Sequence, residues 1–205
     1  MRVRSDGAKT RRQILDAAAR VFARRGFRDA TMAEIARDAR VNSALINYHF
    51  TDKETLYRQA WEYAWERTRD RYHLGDTPKG GSAAARLTSL IDSMVRSAAD
   101  REAADQEIWR KELAQPTELL ATIQKTVVVP LRQAVGCQVR EILGPDSDDQ
   151  AVRLATMSII AQCRTPIGGI SGQKPFVDVD LTRRIEHIRA FSLGGLHAIR
   201  QGAAR

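Results

Sequence analysis

The segment from Lys9 to Phe50 constrains this chain more than any other, because its apolar residues fall on three short helical stripes separated by chemically distinct stops. Ile14, Leu15, Ala18, Val21 and Phe22 recur at helical spacing, arginines cover the opposite face, and Gly26 follows as a terminator. Thr31-Met32-Ala33-Glu34 reads as a capping box, in which the threonine hydroxyl accepts from the Glu34 amide and the Glu34 side chain reaches back. The stripe Met32, Ile35, Ala36, Ala39 then ends at Arg40-Val41-Asn42, a tight turn in which Asn42 is the residue tolerant of unusual dihedrals. Ser43 to His49 forms the third helix. Two short helices joined by a tight turn and braced by a third describe a helix-turn-helix. Ala33, Ala36 and Ala39 supply the small residues needed where the second helix crosses the third. Leu45, Ile46 and Phe50 are the expected anchors of the third helix, leaving Ser43, Asn47, Tyr48 and His49 to reach a DNA major groove.

The charge distribution agrees. The 205 residues carry a formal net charge of +8, and residues 1–60 hold 13 Lys+Arg against 7 Asp+Glu, whereas the remaining 145 are nearly balanced at 20 against 18. An excess concentrated in the front quarter points to a polyanion there. Cys137 and Cys163 are far apart and form no CxxC pair, so neither a disulfide framework nor a zinc site is expected. The basic N-terminus is not followed by an apolar h-region, and no apolar run approaches the roughly 18 residues of a membrane span. The expectation is a cytoplasmic protein without a membrane partner.

Helical periodicity continues to the end, and no segment alternates as a strand does. Residues 1–8 read as a flexible basic arm. Thr51-Asp52-Lys53-Glu54 is a second capping box, opening a helix over about 52–72 with Leu56, Ala60, Tyr63 and Ala64 on its apolar face. Residues 74–82 (LGDTPKGGS) form a linker-like loop. Further helices are expected over 82–99, 106–115, from Pro116 to a kink or restart at Pro130, then 131–143, 148–163 and 181–200, with a Gly/Pro-rich loop over 165–175. The domain reading is an arm (1–8), a helix-turn-helix domain (9–57, with a linking helix to about 72) and a larger helical regulatory and dimerisation domain (75–205). The fold class is all-α.

The run TRRQILDAAARVFARRGFRDATMAEIARDARVNSALINYHFTDKETLY, covering about residues 9–57, resembles the DNA-binding domain of the TetR family from end to end. That resemblance implies a phosphate contact at Thr31, base-edge reading by Asn42, Ser43, Ala44, Leu45 and Asn47, backbone phosphates at Tyr48 and His49, and a further phosphate at Lys53. Many members have Gly and Thr where Ala44 and Leu45 stand. Asn47 replaces a usual aromatic residue, and an asparagine there has the geometry to read adenine bidentately. Lys111-Glu112-Leu113-Ala114-Gln115-Pro116-Thr117, Ser158 to Cys163 and Phe191 to Leu196 are similar to the C-terminal domain of the CecR-like branch, which implies control of export or drug-sensitivity genes.

The resemblance also implies a homodimer on palindromic double-stranded operator DNA, released by a small-molecule effector. Leu181, Ile185, Ile188, Leu196 and Ile199 form a broad stripe on the last helix that must be buried against something, with small residues such as Ser192 between them. Together with Ile159 and Ile160 they are the expected dimer interface, the other reading being burial within one subunit. Trp61, Trp65, Met94, Trp109, Gln162 and Phe176 are candidate effector contacts, against the alternative of plain core packing. No catalytic constellation, phosphate loop, metal cluster or cofactor motif stands out, so no cofactor and no enzyme activity are expected. The competing reading is an architectural DNA-binding protein without effector control.

Overall fold

A computed structural model describes the backbone of residues 3–76, 80–164 and 179–202, and side chains from Gly7 onward within them. Among the described residues the protein is all-α: α1 (Val3–Asp29), α2 (Met32–Ala39), α3 (Ser43–His49), α4 (Lys53–Tyr72), α5 (Ala83–Ala99), α6 (Ala104–Ala114), α7 (Leu119–Ile123), α8 (Val129–Leu143), α9 (Asp149–Arg164) and α10 (Leu181–Gly202). A single π-helical turn, Gln124–Val128, joins α7 to α8.

Several starts and stops differ from the sequence expectation. Residues 3–8, expected as an arm, continue α1. The expected stop at Gly26 is a kink: Gly26 leaves helical geometry at φ 80°, ψ 173°, and one further turn reaches Asp29. That region of the backbone map is open essentially to glycine alone. Gly26→Ala is therefore expected to cost about 1–3 kcal/mol of stability, read from chemical denaturation.

Pro116 does not begin a helix. The chain stays irregular until Leu119, whose amide donates to Thr117 Oγ1 at 3.2 Å. At Pro130 the chain does restart as α-helix, since α8 begins at Val129. Pro130 sits in the first turn of α8, where a missing N–H is tolerated, and the helix widens to the π turn just before it. The loop expected over 165–175 and the candidate contact Phe176 lie outside the described residues.

The chain divides into two units. One comprises Met1–Arg71 with Arg101–Ile123, the other Tyr72–Asp100 with Gln124–Arg205. The expected single boundary near residue 75 thus misses that α6 and α7 pack with the N-terminal helices. The reason lies on α6, which presents two buried carboxylates to α4. Thr68 Oγ1 donates to Asp105 at 2.6 Å, and Tyr57 Oη donates to Glu112 at 2.8 Å. Glu112, 1% exposed, also accepts from the backbone N–H and the hydroxyl of Thr117, each at 2.9 Å. Every one of those donors would be orphaned without it, so the loop after α6 is held to the same unit. Burial pushes the Tyr57 phenol well above its usual range, and the bond to Glu112 adds to the shift.

In the second unit α5, α8, α9 and α10 pack together around Leu87, Leu90, Ile91, Met94, Val95, Val135 and Val139. Polar ties hold the rim. Arg86 donates to Gln138 at 2.7 Å and pairs with Glu141, while Arg189 of α10 donates to the Thr88 carbonyl and to Asp92 of α5, both at 3.3 Å.

Candidate nucleic-acid interface

The first unit presents α3 on a braced frame. Ile14, Val21, Phe22, Ile35, Ile46, Phe50 and Leu56 are wholly or almost wholly buried and form the core beneath it. Gln13 of α1 donates to the Ala39 carbonyl at 2.6 Å, pinning the end of α2. Arg20 and Arg24 of α1 both reach Asp38, at 2.8 and 3.1 Å. Partial burial pushes the Asp38 carboxyl up, but the two arginines together outweigh it and hold it below the usual carboxylate range. Arg11 stacks over the Phe50 ring at 5.4 Å while donating to Gln59 of α4 at 2.6 Å.

The helix ends follow local chemistry. Thr31 Oγ1 accepts from the Glu34 amide at 3.1 Å as the capping box requires, while the Glu34 carboxylate pairs with Arg25 at 3.3 Å. The turn between α2 and α3 corrects the expectation for Asn42. Arg40 takes the left-handed conformation at φ 54°, ψ 43°. Its N–H bonds the Arg37 carbonyl at 3.2 Å and the next N–H, Val41, bonds Ala36 at 3.0 Å, a Schellman pattern that usually recruits glycine. Asn42 is instead the extended N-cap of α3, its Oδ1 accepting from the Ala44 amide at 2.9 Å. The second capping box also shifts by one residue: Asp52, not Thr51, caps α4, accepting from the Thr55 amide at 2.6 Å. That bond holds the Asp52 carboxyl below its ordinary range.

The exposed surface of α3 follows from this frame. Ile46 is wholly buried and Phe50 nearly so. Leu45, expected as a third anchor, is 36% exposed and points outward. Ser43, Ala44, Asn47 and Thr31 are exposed, Tyr48 is 81% exposed, and His49 is half-buried with its ring 5.1 Å from that of Tyr48. The side chains named as base readers thus all stand exposed, although Asn42 already uses its carbonyl oxygen as a cap. Lys53 has a local partner: Nζ donates to the Arg28 carbonyl at 3.2 Å and lies 4.8 Å from the Phe27 ring centroid. It ties the start of α4 to the last turn of α1 after the Gly26 kink, a role the motif did not signal.

The described candidate effector residues are divided between the two units. Trp61 and Trp65 are buried in α4, stacked with ring centroids 6.4 Å apart, and Trp109 is in the same unit on α6. Met94 is a core residue of α5 in the second unit. Gln162, also in the second unit, lines a groove of about 380 Å³ along α9 and α10 with Leu154, Phe191, Ser192 and Ile199.

The expected interface residues likewise sort by face. Ile159, Ile185, Ile188, Ser192 and Leu196 are buried within the protomer, Ile160 and Leu181 are half-buried, and Ile199 is exposed. The apolar side chains on the outer surface of α9 and α10 are Leu154, Met157, Phe191 and Ile199. Periodicity alone could not find the first three, because α9 and α10 carry apolar residues on two faces and a stripe does not say which face the core takes. Ser192 Oγ, buried, has no hydrogen-bond partner among the described residues.

Comparison with known proteins places this geometry. The model for bacterial regulatory proteins of the tetR family matches residues 14–60, and that for the C-terminal domain of the HTH-type transcriptional dual regulator CecR matches residues 83–196, more than half of the chain. The HTH-type transcriptional regulator BetI of Escherichia coli is 36% identical over 84 residues, covering 40% of this chain and 43% of that protein. The chain thus spans less than half the length of that curated relative. A TetR-like transcriptional regulator from Rhodococcus sp. RHA1 superposes with a TM-score of 0.70 at 17% identity, covering 92% of this chain and 96% of the other. A transcriptional regulator from Saccharomonospora viridis, solved in complex with choline, gives 0.65 at 19% identity, with 90% and 95% covered. With both family models matched in order, the second over more than half of the chain, the chain belongs to the TetR family of transcriptional regulators, a family of regulators and not of enzymes.

Proposed function

We propose that this protein is a repressor that binds a palindromic operator as a homodimer and is released by a small molecule. The observation that carries the reading is α3 itself: Ile46 is buried beneath it while Ser43, Ala44, Leu45, Asn47 and Tyr48 stand exposed on its outer side, in the part of the chain with the concentrated positive charge. One such helix covers only a half-site, so two copies are needed, with half-sites about 34 Å apart or a multiple of it. The exposed apolar side chains of α9 and α10 supply the surface for pairing. The effector reading draws on the choline held by a neighbour of the same fold. Release works as a population shift, since a ligand displaces the equilibrium only by its differential affinity for the two arrangements. The regulated genes we assign to export or drug sensitivity, on the CecR-like character of the C-terminal domain.

The test is selection of bound sequences from random duplex DNA at fixed, near-physiological salt. A palindromic consensus is the expected outcome. A purified protein that enriches nothing over random DNA is instead an architectural binder or one held in its released state by a co-purified ligand. On the recovered site, Asn47→Ala is expected to lose about 1–3 kcal/mol and to relax preference at one base pair, with unchanged thermal stability. Unaltered affinity and preference would remove Asn47 from the reading face.

A further inference from the structure

The recognition helix carries one outward side chain with no hydrogen-bonding group to offer and more than a methyl of apolar surface. Leu45 stands 36% exposed between the capped Ala44 amide and the buried Ile46. Isolated exposed leucines are ordinary on protein surfaces, so the weight lies in its position. The other exposed side chains of α3 beyond Ala44, namely Ser43, Asn47 and Tyr48, all carry hydrogen-bonding groups, and the helix ends are already satisfied by Asn42 and by the Phe50 amide bonding the Ile46 carbonyl at 2.8 Å. Leu45 is therefore free of any capping duty, and the two anchors Ile46 and Phe50 hold the helix without it.

Every base pair shows donors and acceptors in the major groove, none of which a leucine can use. The one apolar feature there is the C5-methyl group of thymine. Ala44 beside it carries only a Cβ and leaves room for the helix to approach. We infer that Leu45 reads a thymine in each half-site through its 5-methyl group. The inference rests on the operator-binding reading above and adds to it the base, the atom and the force: removal of two apolar surfaces from water.

Thymine-to-deoxyuridine replacement removes that methyl and nothing else. The full-length protein is titrated onto the palindrome recovered by selection, with each thymine replaced in turn, symmetrically in both half-sites. One position is expected to weaken binding about fourfold per half-site, the equivalent of one buried methyl-sized group at roughly 0.8 kcal/mol, hence about 15-fold for the duplex. Leu45→Ala is expected to bind the thymine and uracil duplexes alike while melting as the wild type does. The inference is overturned if no thymine position responds, or if Leu45→Ala keeps the wild-type ratio. It is also overturned if that variant loses stability and weakens both duplexes equally, which would make Leu45 a packing residue. Failure of the underlying reading looks different, because then no palindrome is recovered and both fall together.

Discussion

Replacing Phe22 with alanine is expected to destabilise the protein by about 3–5 kcal/mol, lowering Tm on the order of 10 °C for a chain of this size. Phe22 is wholly buried in α1, and its ring meets that of Tyr57 edge-on at 4.7 Å and lies 6.5 Å from that of Phe27. Truncation removes the transfer free energy of the ring, opens a cavity beside Tyr57 and Phe27, and deletes an aromatic pair. The loss is a large part of a typical total stability of roughly 5–15 kcal/mol. DNA binding should therefore fall together with Tm. Asn47→Ala makes the contrast, because an exposed reader should lose DNA affinity at unchanged Tm. Thermal unfolding of both variants at one protein concentration separates the two roles. A Phe22→Ala variant that melts within about 2 °C of wild type would mean the site collapses to fill the void, well short of the expected cost.

Glu112→Ala is expected to cost about 3 kcal/mol, measured by urea denaturation. The carboxylate takes three hydrogen bonds in a site where it is almost wholly buried. Removing it takes the protein acceptor from the Tyr57 hydroxyl and two donors of Thr117. The cost falls short of three full charged hydrogen bonds, because the desolvation penalty of the buried carboxylate is recovered at the same time. A polar cavity of about 280 Å³ lined by Arg25, Arg28, Lys111 and Gln115 adjoins Glu112, and it allows water to reach the freed donors. Glu112→Gln keeps the shape and one acceptor oxygen and should cost less than half as much. Equal losses for the two variants would mean that packing, not the carboxylate, holds α6 to α4. A double-mutant cycle with Tyr57→Phe isolates the bond between them.

These two residues also mark how much was legible in the sequence. Phe22 was readable, because its spacing from Ile14, Leu15, Ala18 and Val21 defines a face whatever the rest of the chain does. Glu112 was visible only as part of a familiar run of letters. Nothing in a lone glutamate on a polar helix announces that a tyrosine 55 positions earlier will claim it. Asn42 and Arg40 teach the same lesson at shorter range. Propensity favours asparagine for a left-handed turn residue, yet the bonds from Arg40 and Val41 back to α2 place that conformation on arginine, which frees Asn42 to cap α3.

Local chemistry determined the helix-turn-helix, the Thr31 cap, the break at Gly26 and the all-helical class, because each depends on interactions between residues a few positions apart. Only the tertiary structure decided that α6 and α7 join the N-terminal unit, that Leu45 faces outward and Ile159, Ile185, Ile188 and Leu196 inward, and that Lys53 is tied to Arg28. A helical stripe states that a face must be buried but not against what. When both faces of a helix are apolar, as in α9 and α10, the choice between core and surface belongs to the packing of distant elements, whose contacts the periodicity of one segment does not encode.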